Sequence, residues 1–141
     1  MTRVDFHILG ETWRERRDLY ACKVVEKAWK RGFRVHLHSR SPEHARELDR
    51  LLWTFRAGSF IPHALYPGEE TPLPPVTIGH DIQPEEACQV LVNLADEVPP
   101  AFGRFERIIE LAGPEEEARQ CARQRYRFYR ERGYPLETHE R

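Results

Sequence analysis

Residues 3–39, RVDFHILGETWRERRDLYACKVVEKAWKRGFRVHLHS, switch between two side-chain periods, and that switch decides the fold. RVDFHIL (3–9) alternates and then turns apolar, which predicts a first strand ended by Gly10. In WRERRDLYACKVVEKAWKRG (13–32), Leu19, Cys22, Val25 and Trp29 recur three and four residues apart. That spacing predicts a helix with one buried stripe, and Gly32 supplies its C-terminal cap. FRVHLHS (33–39) returns to the two-residue alternation of a strand.

Working outward, SPEHARELDRLLW (41–53) opens with Ser41 as N-cap, Pro42 at the first helical position and Glu43 in the first turn, a second helix. TFRAGSFIPHALYPGEETPLPP (54–75) carries five prolines in 22 residues and reads as one long loop. VTIG (76–79), CQVLVNLA (88–95) and RFERIIEL (104–111) read as short buried strands. GPEEEARQCARQRYRFYRERG (113–133) is a final helix, with Pro114 at its start, three glutamates at its positive end and Gly133 closing it. Strands alternating with helices predict an α/β fold: a single Rossmann-like domain over residues 1–141, with a largely parallel sheet flanked by helices.

The 141-residue chain has 40% hydrophobic and 32% charged residues, a soluble globular composition, and a length able to bury roughly 68% of its unfolded surface. Its formal net charge of -1 excludes a polycation, so any nucleic-acid role needs a local patch. Cys22, Cys88 and Cys121 are odd in number and far apart, which argues against a disulfide framework or thiolate metal site and suits a reducing cytoplasm. The start lacks the pattern of a signal peptide, and no run approaches the roughly 20 apolar residues of a membrane span.

A dinucleotide site needs G-x-G-x-x-G after the first strand, whereas LGETWRER has one glycine followed by bulky residues. No glycine begins a P-loop. His36 and His38 share one strand face and Asp5 and His7 another, where metal ligation or acid–base work is conceivable and a structural role is commoner. His63, His80 and His139 have no partner at metal-ligand spacing, and Cys121 falls on the apolar side of the last helix. No hydrolase, zincin or kinase motif is present. Neither a catalytic site nor a cofactor or metal is expected.

The unusual segment is RQCARQRYRFYRERGYP (119–135), with six arginines, four aromatic rings and one acid, Glu131. At about 100° per residue, Arg119, Arg123, Tyr126, Arg127 and Arg130 fall on one stripe, while Ala118, Cys121, Ala122, Phe128 and Tyr129 lie off it. Arg125 points to the apolar side and is structural. Glu115 and Glu116 are placed to relieve Arg119. The stripe is a solvated face, a hold for a nucleic-acid backbone, or a dock for an acidic peptide end. So short a strip suits the peptide better, since its hold on phosphates would be weak and salt-dependent. In LLWTFRAGSFIPHAL (51–65), Trp53, Phe55, Phe60 and Ile61 form either a core plug or a protein interface.

LLWTFRAGSFIPH and ARQRYRFYRERGYPLETH, with RVDFHIL and VLVNLADEVPPAFGRFERIIEL, resemble the chi subunit of bacterial DNA polymerase III over nearly the whole chain. The resemblance implies a non-catalytic accessory subunit of the replicase, cytoplasmic at the replisome, with a Rossmann-type fold that binds no nucleotide. It implies two partners, the small psi subunit of the clamp loader and the acidic C-terminal tail of single-stranded DNA-binding protein, with DNA reached only indirectly. By position, tail binding falls to Arg119, Arg123, Tyr126 and Arg127, with Ala112, Trp53 and Thr138 lining the pocket. The family often has lysines at positions 119 and 127 and a larger apolar residue at 112. Phe60, with Ile61 and Pro62, matches the surface turned toward psi. The alternative is a small single-stranded nucleic-acid-binding module using the same Arg/Tyr helix.

Overall fold

The structure, a computed structural model, describes residues 2–81, 83–84 and 88–141. Seven strands form one sheet, every neighbouring pair parallel: β1 (Arg3–Ile8), β2 (Val35–His38), β3 (His63–Leu65), β4 (Val76–Gly79), β5 (Val90–Asn93), β6 (Arg107–Ala112) and β7 (Leu136–Glu140). Their order is β3-β4-β2-β5-β6-β1-β7. Helices α1 (Arg17–Lys30), α2 (Pro42–Thr54) and α3 (Glu116–Glu131) flank it. The α/β sheet expected from the sequence is present.

The central strands β2, β4 and β5 are buried along their whole length, as strands covered on both faces must be. On one face α1 and α2 pack Cys22, Val25, Leu48 and Leu52 against Leu37, Val92, Ile109 and Leu111. On the other, Ala122 and Tyr129 of α3 pack against Val4, Phe6, Leu91 and Ile108. The strand period divides neighbours between the two layers: Phe6 lies under α3, while Asp5 and His7 face the α1 side.

Local sequence explains the helix ends. Ser41 caps α2, its hydroxyl accepting the His44 amide at 3.1 Å. Gly133, at φ 78°, ends α3, and the Tyr134 amide returns to the Tyr129 carbonyl at 3.1 Å to complete a Schellman turn.

The expected first helix, 13–32, begins late. Glu11–Trp13 form a 3₁₀ turn and Glu15 sits at φ 59°, a left-handed conformation that a helix cannot carry, so α1 starts at Arg17. The loop expected over 54–75 contains the edge strand β3, held by its ladder to β4 between Pro62 and Pro67. β7 was also not anticipated: LETHE is polar, and pairing with β1 rather than apolar patterning makes it a strand.

Candidate functional site

Helix α3 is oriented from beneath. Arg125 is buried, its Nε donating to Glu110 Oε1 at 2.8 Å and its Nη1 to the Asp96 carbonyl at 2.9 Å. The Tyr129 hydroxyl donates to Glu110 Oε2 at 2.7 Å, and Asn93 Nδ2 lies 3.1 Å from both Glu110 oxygens. Burial, and then the Glu110 charge, push the Tyr129 phenol well above its ordinary range, so it stays a donor. A carboxylate so fully satisfied is tolerated in the core, and it fixes which side of α3 faces the sheet. The inward role read for Arg125 is correct. Its partner Glu110 was missed, although an acid inside the apolar strand RIIELA is itself a signal of a buried pairing.

The opposite side of α3 carries the arginine stripe. Arg123 and Arg127 are exposed. Arg123 Nη1 lies 3.8 Å from Glu116 Oε1, and with 64% of the Arg123 side chain in solvent that contact contributes at most a few tenths of a kcal/mol. Arg127 and Arg130 form no ion pair with another described residue. Arg119 differs: its Nε donates to the Gly113 carbonyl and its Nη2 to the Leu9 carbonyl, both at 2.9 Å. Its fork is therefore half spent on the ends of β6 and β1. Glu116, expected to relieve Arg119, approaches Arg123 instead.

Beside the stripe the sheet supplies an apolar shelf. Tyr126 is half-buried, its ring edge-on to Phe6 at 5.3 Å between centroids. Phe6 stands in register with Thr138, which places Thr138 on the same face one strand out. Ile8 and Leu136 complete the shelf as half-buried members of that cluster. Arg123, Arg127, Tyr126 and Thr138 are thus brought together, with one free amino of Arg119 at the end.

Two residues assigned to this pocket lie elsewhere. Ala112 is buried in the core beneath α3 and offers no surface. Trp53 sits on α2 with its ring 4.4 Å from that of His63 on β3. β3 and β7 are opposite sheet edges, six strand spacings or about 29 Å apart, so Trp53 cannot share a pocket with Thr138.

Trp53 instead joins the second surface. Phe60 is 76% exposed and Trp53 52% exposed, with Pro62 also in solvent. Ile61 is 0% exposed and packs among the α1/α2 core, so it supports Phe60 without facing a partner. The loop before Phe60 is tied down: Arg56 Nη2 meets Glu26 Oε1 at 2.8 Å, and Ser59 Oγ donates to Glu26 Oε2 at 2.9 Å. An exposed ring on an anchored loop is the geometry of an interface anchor rather than a core plug.

The chemistry that a Rossmann-like sheet invites is set against a nucleotide here. The crevice at the strand C-termini is lined by Glu15, Asp18, Asp96, Glu115 and Glu117 along with Arg16, Arg17 and Arg40. Carboxylates stand where phosphate would need backbone amides. His36 and His38 are both buried, and burial holds their pKa values down to about 3 and about 4, so both are neutral near pH 7. Nδ1 of His36 pairs with Thr77 Oγ1 at 2.7 Å. Among the described residues, the one group with donors near enough to hold a metal is Asp5, Glu137 and His139, all within 4.8 Å. Arg107, bonded to Asp5 at 2.5 Å, and Arg3 at 3.9 Å already balance the Asp5 carboxylate, which leaves it little charge to offer a cation.

A family model for the DNA polymerase III chi subunit, HolC, matches residues 1–137. The chain belongs to the DNA polymerase III chi subunit family. A Pseudomonas aeruginosa protein named DNA polymerase III subunit chi is 42% identical over 139 residues, spanning 99% of this chain and 96% of the relative. Proteins of the same name from Haemophilus influenzae and Escherichia coli are 30% and 28% identical, covering 94% and 83% of this chain and 93% and 80% of their own. Membership makes the protein a replication accessory subunit of DNA polymerase III, with partners in that complex. No helix among the described residues is long and apolar enough to cross a membrane.

Proposed function

We propose that this protein is a non-catalytic adaptor of the bacterial replisome, acting in the cytoplasm and built as two docking surfaces on opposite edges of one sheet. The α3 stripe binds the acidic C-terminal tail of single-stranded DNA-binding protein. Arg123 presents a bidentate fork to the terminal carboxylate, and Arg127 and the free amino of Arg119 supply the field around it. A terminal apolar side chain rests on the shelf of Tyr126, Ile8 and Thr138. The carrying observation is that Arg127 lies in solvent beside that shelf with no ion pair to another described residue, and that Arg123 meets only Glu116, 3.8 Å away and itself exposed, a contact weak enough to be displaced.

At the other edge, Phe60 and Pro62, joined by Trp53, receive the psi subunit of the clamp loader. Separation of about 29 Å lets one molecule hold both partners at once. The protein thereby couples the clamp loader to DNA already coated by its binding protein. Steering by the arginines raises the association rate and makes tail affinity fall with salt.

Calorimetry with an acidic peptide ending in an apolar residue with a free carboxylate tests the first surface. Arg123→Ala is expected to cost about 1.5–3 kcal/mol, roughly a ten- to 150-fold rise in Kd. An unchanged Kd would remove Arg123 from its role.

A further inference from the structure

The α3 face leaves one concentration of charge unused. On the opposite face α1 packs over β2, β5 and β6, and between it and the β1–β7 flank runs a groove of about 470 Å³. Six fixed cations line it, Arg3, Lys23, Lys27, Arg31, Arg107 and Arg141, against one lining acid, Glu106. In a chain of net charge -1 this is a marked local excess. Arg107 and, at longer range, Arg3 are paired with the buried Asp5, whereas Lys27 and Arg31 form no ion pair with another described residue.

The cations on α1 are regularly spaced, Lys23 lying over the Trp13 ring at 5.5 Å and Lys27 and Arg31 without an ion pair among the described residues. Lys23, Lys27 and Arg31 follow one another at four-residue intervals, so they rise by about 6 Å per step along one wall. An extended single strand presents its phosphates at a comparable step. The floor between the charged walls is apolar, made by Val24, Ala28, Val90 and Ile109, and Phe33, 37% exposed, stands at the α1 end. Cations in a row above an apolar floor with an accessible ring are the two halves of sequence-independent strand binding, phosphate contact and base stacking.

We infer that this groove is a binding site for single-stranded DNA, distinct from the α3 stripe and touching the strand directly. Arg119, Arg123 and Arg127 on α3 share the four-residue step, so spacing alone does not choose the occupant. The groove adds a second cationic wall from Arg3, Arg107 and Arg141 and the accessible Phe33 ring, which suit a strand with its bases. Membership in a DNA polymerase III subunit family places the chain in a complex that handles DNA. The contact is short, with about three phosphates engaged, and so weak and salt-dependent.

Fluorescence anisotropy of the full chain with a labelled oligothymidylate tests this. With three phosphates engaged, log K should fall against log salt with a slope of about -2, roughly a twentyfold loss from 50 to 200 mM salt. Lys27→Glu with Arg31→Glu should weaken oligonucleotide binding at least tenfold at 50 mM salt while leaving binding of the acidic tail peptide unchanged. Phe33→Ala, which keeps every charge, should weaken it at least about fivefold through lost stacking. Arg123→Ala should leave oligonucleotide binding unchanged. Thermal melts identify any variant that fails to fold, and a milder Lys27→Ala, Arg31→Ala pair then takes its place. No binding by the wild type at 50 mM salt overturns the proposal. So does loss of strand binding on Arg123→Ala alone, which would put the strand on α3, or loss of peptide binding in the groove variant, which would make the groove a peptide site.

Discussion

Replacing Arg125 by methionine would test how α3 is held. Glu110 is 0% exposed and its carboxylate is met by Arg125, Tyr129 and Asn93, with only Arg125 carrying charge. Methionine refills most of the aliphatic volume, so the cavity contribution is small, and the dominant cost is a buried carboxylate left without its cation. Breaking such a pair from one side costs about 3–5 kcal/mol. Against a typical total of about 5–15 kcal/mol, that is a large share of the fold. In urea melts with an ordinary slope of about 1–3 kcal/mol/M, the midpoint should drop by at least about 1 M with the slope unchanged. Adding Glu110→Gln removes the stranded charge while keeping an acceptor for Tyr129, and the double variant should recover about half of the loss. A single-variant loss below about 1 kcal/mol, or a double variant less stable than the single, would refute the role given to this network in orienting the arginine stripe.

Two further outcomes follow from other residues. His36 and His38 are neutral in the folded state, with pKa values near 3 and 4 against 6.5 when unfolded, so below pH 6.5 the unfolded chain binds protons that the native one does not. Their stabilisation is complete above about pH 6.5 and falls with pH by about 1.4 kcal/mol per unit for each, up to about 4 kcal/mol for the pair between pH 7 and 5; urea melts showing equal stability at both pH values would contradict this. Phe60→Ala, at a 76% exposed position, should leave thermal stability and tail binding unchanged while weakening capture of psi by at least about 2 kcal/mol, the loss of a hot-spot ring; parallel loss of both partners in a pulldown would instead indicate unfolding.

Much of this architecture was legible because it rests on local periodicity. The stretch 3–39 declares strand, helix and strand, and helical arithmetic separates Arg123 and Arg127 from Arg125, Ala122 and Tyr129 as the coordinates do. What escaped depends on residues far apart in the chain. β7 has one apolar residue, Leu136, and its strand conformation comes from the β1 ladder. Arg119 is committed to carbonyls of Leu9 and Gly113, one of them 110 residues away, which no spacing rule reveals. The family resemblance places Trp53 and Ala112 in the tail pocket by position, and strand order, which is not written in strand sequence, separates Trp53 from it. Once β3 and β7 are opposite edges, Trp53 belongs with Phe60, and Ala112 is core. Phe60 and Ile61 show the same lesson at short range, where adjacent apolar residues turn opposite ways and only one meets solvent. The cationic groove draws its walls from α1, β1, β6 and the residues at the chain's end, so it exists only once these are assembled.

The claim on which the rest depends is that a carboxylate-ended acidic tail docks beside Tyr126. Titrating the isotopically labelled protein with the tail peptide, and mapping amide and side-chain shifts by nuclear magnetic resonance, tests it most directly. The expected shifts centre on Arg123, Tyr126, Arg127 and Thr138 and largely vanish when the peptide's terminal carboxylate is amidated. Shifts gathered instead around Trp53 and Phe60, or along Lys27 and Arg31, or a response indifferent to amidation, would contradict it.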